Sequence, residues 1–378
     1  MEKILLSILG EFLGKLIFMA IGAAVGSTTG CENESREFVL VPEYDKVESA
    51  TLKPGLLGGK TLPPTYASPD GMAIGPDGCI YVSVTQRASK HKYPAKIIRI
   101  TPNDTVENFF TMPVNKATGK ACPMGLVFDA KGDLYVADNQ SSLTKEPGQS
   151  SLYRITIEEG KAVRAEKVAT GINAANGVTR WGDHIYVAES NLRVPGENLS
   201  GVYRFAIADL KAEAPVTVTG RGDPRLITAI QTENKARRGA NGIDFDSKGR
   251  LYVNNFGDSE VRRLTFDSAN GPVSKSEIFA RFDPTVVKCV DGLHIDNKDN
   301  LWIADLAGNA ILKITPEGAA TIVARNAVSD DADGALNTPS ECIRRGAKLY
   351  ISNMDIGEIP RKNATQTISV LALGNEAK

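Results

Sequence analysis

The chain has 378 residues, and its 44 Lys and Arg residues balance 45 Asp and Glu residues, which gives a formal net charge of −1. No basic stripe with interleaved aromatic residues occurs, so the composition argues against nucleic acid as a partner. The 35 glycines indicate many tight turns.

The first 30 residues differ from the rest. Lys3 and Lys15 precede an uncharged apolar run over residues 16–25, and small residues then lead to Cys31. This order is typical of a secretory signal, and the apolar run is short for a membrane span. Residues 28–31 also resemble a bacterial lipoprotein cleavage box. We expect residues 1–30 to be a signal peptide or lipoprotein leader and the protein to be exported. It would be periplasmic, secreted or tethered to a membrane through Cys31; an uncleaved leader on a cytoplasmic protein is the alternative.

One short pattern recurs six times, over residues 70–84, 124–138, 176–189, 241–254, 291–305 and 341–353. Each copy has an alternating apolar stretch, a turn and a second apolar run such as Leu-Tyr-Val-Ala-Asp, which predicts a β-hairpin. Two further strand-like segments follow each hairpin. Four strands in a repeat of about 50 residues are typical of a propeller blade.

The repeat therefore predicts an all-β fold, a six-bladed β-propeller over residues 65–378 with four antiparallel strands per blade. Residues 31–64 would be an N-terminal lead-in. Within it, residues 38–47 have strand character, and we expect them to pair with the last blade and close the ring, which would remove two exposed sheet edges.

The residue that opens each copy falls where the innermost strands line the channel, so six side chains form a predicted ring: Asp70, Met124, Asn176, Asn241, Asp291 and Glu341. Three of them are acids, which repel each other at one depth of a channel unless a cation neutralises them. Carboxylate and amide oxygens suit Ca²⁺ better than Zn²⁺. We predict a site for Ca²⁺, or another divalent cation such as Mg²⁺ or Zn²⁺, with these five oxygen-bearing residues as ligands. Alternatively, they only cap strand starts, because Asn and Asp before Gly are common in turns.

The ring and its blade spacing resemble the senescence marker protein/gluconolactonase family of six-bladed propellers, over residues 65–369. In that family a first-blade Glu, two Asn and an Asp hold one divalent ion. The resemblance places the Glu on Asp70, the Asn residues on Asn176 and Asn241, and the Asp on Asp291. Asp70 is one methylene shorter than Glu and lacks the Pro and Trp that follow it in the family. Glu341 lies where strictosidine synthase-like propellers, which need no metal, carry a catalytic Glu.

The resemblance implies a metal-dependent hydrolase of a lactone or related ester, for example a sugar lactone as small-molecule substrate. Asp291 would be the general base or the nucleophile, and Glu341 would be a further ligand or a proton shuttle. Two alternatives remain: a non-catalytic binding propeller with a structural ion, and a metal-free strictosidine synthase-like enzyme that uses Glu341.

The sequence also allows expectations for several polar residues and cysteines outside the ring. Strand alternation would turn His294 away from the side of Asp291. The acids and amides that end the second strand of each copy are expected to make turn hydrogen bonds. Arginines in the irregular segment 211–239 could attract an anionic substrate or be solvated: Arg221, Arg225, Arg237 and Arg238. Four cysteines permit disulfides, but burial as small apolar residues is expected: Cys79, Cys122, Cys289 and Cys342.

Overall fold

The computed structural model describes residues 43–44, 48–49, 52–234, 238–327, 333–356 and 366–373. These residues form six sheets arranged as a six-bladed β-propeller, as the repeat predicts. The described part of the chain has no α-helix; its short 3₁₀-helices are Leu57–Gly59, Pro64–Tyr66, Ile207–Asp209 and Phe256–Asp258. The predicted leader and Cys31 lie outside the described residues. Within those residues, none of the helices has the length and apolar character needed to cross a membrane.

Each blade starts with an inner strand at the channel and continues outward through antiparallel neighbours. Blade one contains Pro69–Ile74, Ile80–Val84, Lys96–Ile100 and Val106–Thr111. Blade two contains Pro123–Phe128, Leu134–Asp138, Ser150–Glu158 and Lys161–Ile172. Blade three contains Ala175–Trp181, His184–Glu189, Leu199–Ala206 and Leu226–Gln231. Blade four contains Ala240–Phe245, Leu251–Asn255, Glu260–Phe266 and Val273–Phe282. Blade five contains Leu293–Ile295, Leu301–Asp305, Ala310–Ile314 and Ala320–Arg325.

Blade six joins the two ends of the propeller. Its strands Pro339–Arg345, Lys348–Asn353 and Ile368–Ala372 come from the C-terminal part of the chain, and its outer strand is Gly55–Leu56. The inner strand of blade six also contacts that of blade one, so the ring is closed. Closure leaves no blade with an unpartnered face.

The predicted closing strand, residues 38–47, was assigned to the wrong blade. Glu43–Tyr44 pairs in parallel with the outer strand of blade four, and Glu48–Ser49 pairs in parallel with that of blade five. Val216–Thr217 adds a similar strand to blade two. These short strands cover outer edges that would otherwise expose unpaired backbone groups. A two-residue strand has no periodicity that could be recognised in the sequence.

The core lies between neighbouring blades, where the side chains of facing sheets pack together. Between blades three and four, Phe245 stacks on Trp181 with ring centroids 5.2 Å apart, and it packs edge-on against Tyr186 at 4.8 Å. Such aromatic contacts fix the angle between blades. These contacts hold the inner strands of blades three and four against each other.

Candidate active site at the propeller axis

Each inner strand of blades one to four carries a β-bulge at its start. Asp70 and Gly71 together face the single residue Ser83, since Pro69 pairs with Val84 and Met72 pairs with Val82. The same two-to-one register recurs in the next three blades. A bulge re-aims the side chain that it contains. It directs the first residue of each pair toward the axis.

The glycine of each pair allows the inner strands to approach closely. A Cβ on Gly71 would lie 2.5 Å from the carbonyl oxygen of Met124, and one on Gly125 would lie 2.7 Å from that of Asn176. These glycines are therefore required by the packing of neighbouring inner strands. Asp70-Gly71, Asn176-Gly177 and Asn241-Gly242 lie within strands and are not turn residues, whereas Asp291-Gly292 directly precedes the inner strand of blade five.

The register of blade six corrects one position of the predicted ring. Pro339 pairs with Asn353, Glu341 with Ser352 and Cys342 with Ile351, so Ser340 is the extra residue of the bulge and Glu341 follows it. Ser340 therefore takes the slot that Asp70 has in blade one, and Glu341 takes the slot of the glycine. The sequence repeat placed Glu341 in the ring because the sixth copy has no glycine to fix its alignment. The axial ring is Asp70, Met124, Asn176, Asn241, Asp291 and Ser340.

Asp70 and Asp291 are the two carboxylates of the axial ring, and each is only 7% exposed. The Asn241 amide donates a short hydrogen bond to Asp291 Oδ1. The Asn176 amide nitrogen lies 3.4 Å from Ser190 Oγ, its hydrogen-bond acceptor. The structure thus pairs Asn241 with Asp291, and it places Asp70 and Asn176 at the equivalent position of their own inner strands.

The two ring carboxylates are unfavourable in the ionised state together. Burial raises the pKa of Asp70 to about 6, against the opposing effects of the Arg87 charge and a hydrogen bond with Ser340. Burial and the negative charge of Asp70 raise the pKa of Asp291 well above its usual value, although Asn241 and Arg87 oppose this shift. A cation between these side chains would allow both to ionise.

Glu341 lies just beyond the ring. A Cβ on Gly292 would lie 2.6 Å from the carboxyl carbon of Glu341. Glu341 Oε1 accepts a hydrogen bond of 2.9 Å from the Cys342 N–H. Burial raises the pKa of Glu341 well above its usual value, and the charges of Asp70 and Asp291 add to the shift. Glu341 is thus held as a partly buried carboxyl whose charge interacts with those of the two ring acids.

A cavity of about 220 Å³ continues the channel on the far side of the ring, and Glu341 is part of its wall. Its polar lining comes from residues three positions after a ring residue, Thr179, Asp244 and His294. Thr179 Oγ1 donates to Asp244 Oδ1 over 3.0 Å, and His294 Nδ1 lies 3.6 Å from Asp244 Oδ2. The expectation that His294 turns away was wrong because the start of the inner strand does not follow simple alternation.

The acids that end the second strands hold the linkers between blades. Asp138 accepts a 2.7 Å hydrogen bond from the Cys122 N–H, and Glu189 accepts one of 2.8 Å from the Ala174 N–H. Asp305 accepts one of 3.1 Å from the Cys289 N–H. These acids thus have a structural role, but their hydrogen bonds reach the segment before the inner strand, whereas turn hydrogen bonds were expected. The four described cysteines are buried and free, as expected.

The donor set of the ring fits a hard divalent cation. Among the residues that the structure describes, no three His, Cys, Asp or Glu side chains form a metal cluster. The ring instead combines two carboxylates, which repel each other when buried, with the amides of Asn176 and Asn241. Oxygen donors of this kind suit Ca²⁺.

Comparison with known proteins supports the resemblance. The model of the SMP-30/Gluconolactonase/LRE-like region matches residues 219–329. Among curated proteins, no sequence matches the chain. The family match confirms the resemblance that the ring residues suggested.

Solved structures of three other proteins are similar in fold. A luciferin-regenerating enzyme is 11% identical with a TM-score of 0.55, and the match covers 84% of this chain and 94% of that one. The gluconolactonase XC5397 from Xanthomonas campestris is 15% identical with a TM-score of 0.52, and the match covers 87% of this chain and 99% of that one. A PQQ-bound aldose sugar dehydrogenase from Streptomyces coelicolor is 16% identical with a TM-score of 0.52, and the match covers 83% of this chain and 97% of that one. At these identities the likeness shows the fold alone.

Proposed function

We propose that the chain is a metal-dependent hydrolase of a lactone or related carboxylic ester, for example a sugar lactone. The observation that carries this proposal is the pair of buried carboxylates, Asp70 and Asp291, on the propeller axis beside Asn241. The family match to gluconolactonase-like proteins supports the same reaction class.

Asp70, Asn176, Asn241 and Asp291 would hold the cation, with Ca²⁺ favoured by the donor type and Mg²⁺ or Zn²⁺ as alternatives. When bound, the cation would supply Lewis-acid polarisation of the ester carbonyl. Because the two asparagines are neutral, they add ligands without reducing the positive charge of the site.

Asp291 is the residue that we assign as general base. It would take a proton from water as the water oxygen adds to the carbonyl carbon, and the carbon–oxygen bond of the ester then breaks. The proton passes to the departing alkoxide, so atoms and charges balance. The hydrogen bond from Asn241 orients the Asp291 carboxylate for this transfer. Glu341, partly buried in the cavity wall, would act as a proton shuttle between the ring and the cavity.

The test is hydrolysis of a panel of aldonolactones and aryl esters, with and without a chelator. We expect turnover that the chelator abolishes and that added Ca²⁺ restores. No turnover on the panel, together with a thermal shift by Ca²⁺, would instead support a binding propeller with a structural ion.

A metal-free enzyme that uses Glu341 as its acid or base is the second candidate. The observation that favours it is the position of Glu341, with its raised pKa, in the wall of the cavity. Turnover that resists the chelator but is lost in Glu341→Gln would establish this alternative and refute the metal-dependent mechanism.

A further inference from the structure

Three arginines lie on loops at the ring end of the propeller. Arg87 follows Ile80–Val84, Arg193 follows His184–Glu189, and Arg238 precedes Ala240–Phe245. The ring residues lie at the starts of the inner strands, and the second strands run antiparallel to them. Loops that leave the second strands or lead into the inner strands therefore lie at the same end as the ring.

Arg87 reaches from blade one to blade six. Its Nη1 lies 3.9 Å from the sulfur of Met354, which directly follows the second strand of blade six. Its positive charge lowers the pKa values of Asp70 and Asp291 against the larger effect of their burial. The guanidinium is thus close enough to the axis to act on both ring carboxylates.

Arg193 and Arg238 lie on loops that contact each other. The Gly239 N–H donates to the Ser190 carbonyl oxygen over 3.3 Å. Partial burial lowers the pKa of Arg238, and the positive charges of Arg193 and Arg87 lower it further, although the negative charge of Glu189 opposes them. Three like charges therefore gather at the ring end of the channel.

No ion pair joins Arg87, Arg193 or Arg238 to a carboxylate of the described residues. Two of the arginines that the sequence singled out differ in this respect. Arg221 pairs with Glu197 at 3.0 Å, and Arg225 pairs with Asp223 at 3.4 Å. Arg237, the third, lies outside the described residues.

Building on the proposed hydrolysis, we infer that the substrate is an anionic lactone or ester whose carboxylate or phosphate binds to Arg87, Arg193 and Arg238. The hydrogen bonds that Arg87 and Arg193 donate go to neutral acceptors, the Met354 sulfur and the Lys145 carbonyl oxygen, so they leave the guanidinium charges uncompensated. An anion would relieve the repulsion between these charges. Their planar forks also match carboxylate and phosphate oxygens in bidentate geometry. The rest of the substrate would extend from this group to the axial ring, where its carbonyl reacts. The arginines would thus select the substrate by its charge.

The test compares three substrates that share one lactone ring: a neutral aldonolactone, its analogue with a second carboxylate and its phosphate ester. We expect kcat/KM to favour one anionic substrate by about tenfold or more at low salt, and this preference to shrink as salt screens the charges. Whether the carboxylated or the phosphorylated lactone is preferred identifies the anion.

In Arg193→Gln and in Arg238→Gln we expect the preference to fall by about tenfold, mainly through KM, because each change removes a charge-assisted hydrogen bond. Arg164→Gln, on the outer strand of blade two, is the control and should keep the preference. The inference would be overturned if the preference for the anionic lactone were unchanged in both Arg193→Gln and Arg238→Gln. Faster turnover of the neutral lactone by the wild type would overturn it as well.

If no lactone of the panel is hydrolysed, the proposed reaction fails and the anion site is tested alone. The protein is then titrated calorimetrically with the dicarboxylate that results from opening the carboxylated lactone, which shows whether the arginines bind an anion. Binding that weakens in Arg238→Gln upholds the site, and no binding by the wild type refutes it.

Discussion

At the scale of single residues, the chemistry depends on Asp291. We expect Asp291→Asn to lower kcat/KM by about 10²–10⁴-fold, the range that general-base catalysis supplies. The protein should remain folded, because Asn has the same size and removes a buried charge. Hydrolysis rates and the melting temperature measure the two effects. Asp183→Asn, in an exposed hairpin turn of blade three, is the matched control. Full activity in Asp291→Asn would refute the assignment.

Glu189 makes stability depend on pH. Burial raises its pKa to about 7, although backbone N–H groups oppose the shift. A carboxyl whose pKa is raised on folding stabilises the folded state below its unfolded pKa, and this contribution is lost as the pH rises through about 7. We expect the free energy of unfolding to fall by about 3 kcal/mol between about pH 4.5 and pH 7 on account of this group.

The measurement is the free energy of unfolding against pH for wild type, Glu189→Gln and the exposed loop variant Glu197→Gln. The Glu189→Gln protein should be less stable at low pH, where its amide faces backbone donors, but its pH slope should be smaller. Glu197→Gln should keep the wild-type slope. Equal slopes in all three proteins would show that Glu189 does not carry the effect.

The sequence was sufficient to place four residues in the axial ring, since Asp70, Asn176, Asn241 and Asp291 each precede a glycine in the repeat. It misplaced Glu341, because only backbone pairing shows which residue of the sixth copy replaces that glycine. Arg87 and Arg193 were missed because they lie on irregular loops, where no repeat predicts which side chains converge.

At the scale of elements, the inner strands depend on their glycines. In Gly125→Ala the new Cβ would lie 2.7 Å from both Asn176 O and Val178 N, so the inner strands of blades two and three must separate. We expect a loss of about 2–3 kcal/mol in the free energy of unfolding, as for overpacking in a core. Gly222→Ala is the control, since nothing lies within 4 Å of its Cβ. Equal stabilities of the two variants in denaturant titrations would contradict the close approach.

The blades themselves were predictable because each hairpin has a clear alternation and a turn. The bulge was not, since an Asp-Gly or Asn-Gly pair is compatible with either a turn or a strand. The bulge also explains why the sequence did not reveal Thr179, Asp244 and His294 as cavity residues. Their shared offset of three from the ring becomes recognisable once the bulge is known.

At the scale of the whole molecule, stability depends on closure of the ring by Gly55–Leu56. A protein that begins at Pro63 lacks this strand, whereas one that begins at Leu52 keeps it. We expect the shorter protein to melt several degrees lower and to aggregate more readily, because the edge of Ile368–Ala372 is exposed. Equal melting temperatures of the two truncated proteins, with no difference in light scattering, would show that closure contributes little.

The propeller is a scaffold shared by proteins of different chemistry, and the reaction is decided at the axis. That Asp70, Asn176, Asn241 and Asp291 share one cation is tested most directly by calorimetric titration of the chelator-treated protein with Ca²⁺. We predict one Ca²⁺ per chain in the wild type and none in Asp291→Asn. Absence of binding by the wild type, or unchanged binding by the variant, would contradict a metal site formed by these residues.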